Sequence, residues 1–163
     1  MVLTIIRFAE VLSLGVWLGA IIYLSFAVAP VAFSTAPTRQ LAGQIVGLAI
    51  ARLYALGYIC AAIYALSVVA GQRIAPESSP AGWLLILIAV MVLLVVLNQF
   101  VVGKQMHGMK VAMTEEFGGV DKTPKDHELR RGFGRLHGVS SLLMMGNLLT
   151  GLGLMFMTVR RFQ

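Results

Sequence analysis

The side chains best placed to do chemistry in this sequence are polar groups set among long apolar runs. His137, Ser140, Met144, Asn147 and Gly151 recur at intervals of three and four residues. That spacing puts them on one face of one helix. The face is small and polar, so it belongs toward neighbouring helices rather than toward lipid. Asn98 and Gln105 lie seven residues apart and share a helix face in the same way. Arg52 stands at the head of another apolar run and adds a cation to this polar set. Polar groups inside a membrane are costly and mark ligand or ion routes when they are not simply hydrogen-bonded between helices.

Two kinds of ligand chemistry are conceivable. His107 and His137 offer imidazoles for a haem iron, a pigment or a metal ion. Met106, Met109 and Met113 form a thioether stripe with the right softness for Cu(I), although methionine more often fills a core or a partner interface. At about 100° per residue, His107 falls about half a turn out of phase with Asn98, which argues against one shared pocket. The third histidine, His127, belongs to a solvated turn. No HExxH, CxxC, CxxCH, phosphate-binding Gly-rich loop or G-x-S-x-G elbow occurs, so no catalytic set is recognisable and the chain reads as non-enzymatic. Glu115, Glu116, Asp121, Asp126 and Glu128 crowd one turn among basic residues and read as a solvated cluster.

The elements that must position these groups follow from composition. Apolar residues make up 58% of the 163 positions and charged residues only 12%, with a mean hydropathy of +0.86. A soluble domain carries about twice that charge, so the protein is integral to the lipid bilayer. Its net charge of +6 then reads as basic loops meeting lipid headgroups rather than as a nucleic-acid surface. The single cysteine, Cys60, excludes an internal disulfide. The N-terminal run is too long for a signal-peptide core and reads as a span.

Four stretches are long and apolar enough to cross a bilayer: about 11–33, 53–70, 83–102 and 139–159. Continuous rather than alternating, they are helices. Residues 37–52 predict a helix that enters obliquely and continues into the second span. A polar turn, Gly71–Pro80, joins the second span to the third. Gly118-Gly119 marks a helix stop, and Thr123-Pro124-Lys125-Asp126 marks a helix start. The expected fold is an all-α, single-domain, four-helix membrane bundle. Helices three and four, each about 35 residues, exceed the bilayer core, and the surplus forms an extended extramembrane hairpin stem over about 104–138 that projects into water. If its turn centres near Val120, Asn98 lies opposite Leu143.

Nine of the 13 Lys and Arg residues fall on the hairpin side. Positive-inside bias therefore places the stem and the first loop in the cytoplasm and both termini opposite. Three Gly-x-x-x-Gly pairs, Gly15/Gly19, Gly43/Gly47 and Gly134/Gly138, predict close helix approach, most simply within this bundle. No acid falls inside the four bounded stretches, which counts against coupling to protons or cations.

Two stretches resemble the transmembrane protein 205-like family, small four-helix membrane proteins of unknown function. One is Trp17-Leu18-Gly19-Ala20 with Tyr23, Phe26 and Ala29-Pro30-Val31-Ala32-Phe33. The other is Phe133 through Ser141 (FGRLHGVSS) with Asn147-Leu148-Leu149. Where the family carries a leucine-asparagine step after the histidine motif, this chain has Met144-Met145-Gly146-Asn147. The resemblance implies the four-helix layout and singles out Trp17, Tyr23, Pro30, His137, Ser140 and Asn147. One class of members is connected with export of metal-containing drugs, which implies transport.

Three functions are compatible with these observations. The small-residue faces and the Met-rich stem favour an accessory subunit contacting other membrane subunits. The His/Asn/Met face suggests a small-solute or metal-ion transporter or channel. The histidines suggest a haem- or pigment-binding electron-transfer component.

Overall fold

The computed structural model describes residues 1–76 and 81–161. Four helices are long and apolar enough to span a membrane: α1 (Val2–Thr35), α2 (Arg39–Ile74), α3 (Ala81–Phe117) and α4 (Glu128–Arg160). The all-helical four-span architecture is the one expected. The oblique segment at 37–52 is the first part of α2, entered through Thr38, whose hydroxyl accepts from Leu41 N–H at 3.1 Å. The polar turn at Gly71–Pro80 falls partly outside the described residues, and Gly71–Ile74 completes α2.

Helices α1 and α2 prove as long as α3 and α4, so the hairpin is flanked by a second helical pair. The spans had been bounded by hydropathy alone. Apolar residues on both sides of Arg7 and Glu10 let α1 begin at Val2 rather than Val11. That extension overturns the expectation of no acid inside a span. Glu10 lies within α1, is fully buried, and pairs with Arg161 at 2.7 Å.

The bundle has two unlike halves. In the half holding both termini, Val2–Tyr23 packs on α2 and α4, and Ala81–Val96 packs on the same two helices, closing a ring of four. The core there centres on Leu14, Trp17, Leu18, Tyr64, Met91 and Leu154. In the other half, Ala29–Thr35 packs chiefly on α2 and Gly103–Phe117 chiefly on α4. The two pairs diverge.

They meet again at the tip. Gly118 and Gly119, at φ +77° and +129°, end α3 in backbone conformations that favour glycine. The loop then brings Asp121 to the N-terminus of α2, where its carboxylate accepts from Gln40 N–H at 3.0 Å. A carboxylate there also complements the helix dipole. The expected helix start at Thr123-Pro124 is corrected. Helix α4 begins at Glu128, capped by His127 Nδ1, which accepts from Leu129 N–H at 3.3 Å. Thr123 is buried instead, its hydroxyl donating to Gly119 C=O at 2.9 Å and its carbonyl accepting from Arg130. His127 is only partly exposed and sets its ring edge-on to Phe117, so it is a cap rather than a solvated tip.

Candidate functional site: a groove between two helical hairpins

Where the hairpins part, one helix of each pair, α1 and α3, carries a π-helical turn. In α1 it spans Leu24–Val28, and Ala29 N–H reaches back five residues to Leu24 C=O. Pro30 supplies the reason: its ring would clash with the carbonyl four residues earlier, and a widened turn relieves that clash. In α3 the turn spans Leu97–Val102, with Gly103 N–H bonded to Asn98 C=O. A side chain at Gly103 would come within 3.2 Å of that same carbonyl.

The turn in α3 changes which residues share a face. One extra residue removes about 100° of rotation, bringing His107 to within about 80° of Asn98 and carrying Gln105 about 120° away. Observed placement agrees. Asn98, Gly103, Met106, His107 and Lys110 line one groove, and Gln105 lies exposed outside it. The expectation that Gln105 shares an interior face with Asn98 is therefore corrected. His107 lines the groove, although it too is exposed. Arg52 is likewise exposed and outside the groove, beside the lining residue Ala51.

Helix α4 has no such turn. Ser140 and Met144, half-buried, line the groove, and His137 lines it too but is exposed rather than interior. Asn147, one turn further on, is buried and donates to Met91 C=O at 2.8 Å. Asn98 donates to Ser140 C=O at 3.1 Å, three residues from the register expected for the hairpin. Tyr58 O–H donates to Gln99 Oε1 at 2.8 Å. These bonds satisfy most of the polar groups at this level. Asn147 Oδ1 has no partner among the described residues. A second cavity of about 10 Å³ lies beside it, bordered by Asn98, Tyr54 and Trp17.

The groove has a volume of about 680 Å³, within the range of small-molecule sites. Its two walls differ. The α3–α4 wall carries Asn98, Gln99, His107, Lys110, His137 and Ser140. The α1–α2 wall carries Leu24, Phe26, Phe33, Val46 and Ile50, with Gly47 leaving open space. Phe26 and Phe33 are 76% and 51% exposed, so this wall continues onto the outer surface.

The methionine stripe divides. Met106 lines the groove, Met109 lies against Gly132 of α4, and Met113 is fully buried. The three thioethers do not converge on one ion. His107 and His137 do share the groove. Among the described residues no group of three His, Cys, Asp or Glu side chains could hold a metal.

Of the motif residues in α1, Trp17 is buried against Gly57, whose position a Cβ would share with the indole at 2.8 Å. Its role is packing. Tyr23 and Pro30 are exposed and outside the groove. The Gly-x-x-x-Gly expectation is corrected too. Gly19, Gly43, Gly47, Gly134 and Gly138 have nothing near a modest side chain, and Gly15 touches only Met155 at 3.9 Å. The close approaches occur at Gly57 and Gly151 instead. At Gly151 a Cβ would meet Met91 Cε at 2.8 Å.

Sequence reasoning missed Lys110, the α2 wall and both π turns. Pro30 inside an apolar helical run was the available signal for the first turn.

Fold and groove together define a multi-pass, all-helical integral membrane protein with a cleft that has one polar and one apolar wall. The chain belongs to the family described as a domain of unknown function, DUF4149, whose model matches residues 12–115. That match takes in the Trp17–Phe33 stretch and ends before α4. The narrower transmembrane protein 205-like assignment rests on the resemblance alone. No curated protein and no solved structure matches the chain.

Proposed function

We propose that this is a non-catalytic membrane protein that binds a small amphiphilic solute in the groove and exchanges it with the surrounding bilayer. The carrying observation is the groove itself: a cleft of about 680 Å³ with one polar, basic wall and one apolar wall that runs out to the lipid-facing surface. A ligand with a polar head and an apolar body matches both walls at once. The π turns support the reading, since such turns gather at functional sites. We place the hairpin end in the cytoplasm, following the excess of Lys and Arg there.

Filling the groove tests the proposal. Gly47 lines the groove and a Cβ built there meets nothing within 4 Å, so Gly47→Phe projects a ring into the site. Mass spectrometry of organic extracts from protein purified in mild detergent should find a near-stoichiometric small molecule in the wild type. The variant should carry at least tenfold less. A wild type that carries none, or a variant that retains it in full, refutes the reading.

A second reading, an accessory subunit, is favoured by one observation. The faces of Gly15/Gly19 and Gly134/Gly138 are uncovered within this chain, and small-residue faces let other helices approach closely. A particle in native membranes with other polypeptides in fixed ratio would support it; a lone monomer or homodimer would retire it.

A further inference from the structure

We propose that the ligand of this groove is an anionic phospholipid of the surrounding bilayer, its phosphate held by Lys110, His107 and His137 and one acyl chain lying along Phe26, Phe33 and Val46. The inference rests on the reading of the groove as a binding site and names what it binds.

Charge carries the argument. Lys110 is half-buried on the groove wall, its ammonium 5.5 Å from the centroid of Phe133 on α4. Among the described residues no carboxylate pairs with it, and no Asp or Glu lines the groove. The acids of this half sit at the tip, where Glu116 meets His127 and Asp121 caps α2. A cation drawn partly out of water without a counter-ion is costly, and a bound anion removes that cost. His107 and His137 add N–H donors to the same wall. Around the groove, Arg52 and Lys104 are exposed and adjoin the lining residues Ala51 and Gly103 in sequence, and Arg135 is exposed two positions before His137. They form the basic collar expected where helices leave the hydrocarbon and meet anionic headgroups.

The apolar wall selects a lipid over a free anion. Inorganic phosphate would satisfy Lys110 but offers nothing to Phe26, Phe33 and Val46, whereas an acyl chain packs along them as it would along neighbouring lipid tails. The α1 π turn contributes directly, because Leu24 and Phe26 within it line the groove.

The test uses the full chain, delipidated in detergent and titrated under native mass spectrometry. The probes are short-chain phosphatidylglycerol, phosphatidylcholine of equal chain length, and inorganic phosphate. Phosphatidylglycerol should bind roughly tenfold tighter than phosphatidylcholine, and phosphate should not compete. Lys110→Gln and His137→Gln should each erode that preference severalfold. Lys110→Arg should retain it, which separates loss of charge from loss of fold. Arg73→Gln, exposed at the far end of α2 and remote from the groove, should leave it unchanged. Equal binding of the two lipids, indifferent to Lys110→Gln but abolished by Gly47→Phe, overturns charge recognition and leaves the groove reading intact. Competition by phosphate alone overturns the lipid in favour of a free-anion site. Lipid binding that Gly47→Phe does not touch brings down both.

Discussion

Glycines in the two halves of this bundle do opposite work. In the closed half Gly57 and Gly151 vanish beneath Trp17, Leu18 and Met91, and no larger residue fits. In the divergent half Gly43, Gly47, Gly134 and Gly138 face open space. One residue type thus permits contact at one end and maintains a gap at the other. The Gly-x-x-x-Gly pattern does not distinguish the two uses, since the tight glycines lie outside it. What separates them is the partner: a large side chain aimed at the glycine from the next helix.

The largest effect should come from the closed half. Glu10 and Arg161 are a buried, doubly hydrogen-bonded pair, with both carboxylate oxygens accepting from Arg161 Nη2 at 2.7 and 2.9 Å. Breaking a buried pair by removing one partner costs about 3–5 kcal/mol. Glu10→Ala should therefore lower the thermal midpoint in detergent sharply. A shift no larger than that of an exposed control, such as Arg160→Ala, would show that the end of α4 is not tied to α1.

The glycines come next. Gly57→Ala places a Cβ where the Trp17 indole sits and should cost about 1–3 kcal/mol. Gly47→Phe, far larger, should cost almost nothing while removing the groove ligand. Equal destabilisation by the two would erase the distinction between the halves.

The smallest effect sharpens the boundary between them. Asn147→Leu keeps the volume but loses one interhelical hydrogen bond, worth about 0.6 kcal/mol in membranes. It also removes the orphaned Oδ1. A change of less than about 1 kcal/mol is expected. A much larger loss would mean that Asn147 anchors a buried water in the 10 Å³ cavity beside it.

Legibility followed helix regularity. The polar face of α4 was readable because residues 128–160 form an uninterrupted α-helix, so positions 137, 140, 144 and 147 kept their phase. On α3 the same arithmetic failed beyond Leu97, where the π turn inserts a residue into the count. Asn98 is buried as its spacing implies, while Gln105 and His107 are both exposed and it is His107 that lines the groove. Nothing local in Leu97–Val102 announces the turn as Pro30 announces its counterpart. The four-helix architecture was plain from composition, yet the length of α1 was not. Arg7 and Glu10 lower the local hydropathy, and only the distant partner of Glu10, Arg161, explains why a helix can carry the acid there. Which residues of α2 face the groove required tertiary structure, because that helix is apolar nearly all round.

The Glu10–Arg161 pair also sets a problem in time. The two residues are 151 positions apart. At ribosomal rates of about 5–20 residues per second, α1 is made on the order of ten seconds before its arginine exists. During that interval the only cation at hand on the same helix is Arg7, one turn before the acid. Arrival of Arg161 then settles the helix, so the last turn of the bundle to be synthesised is the one that seats the first.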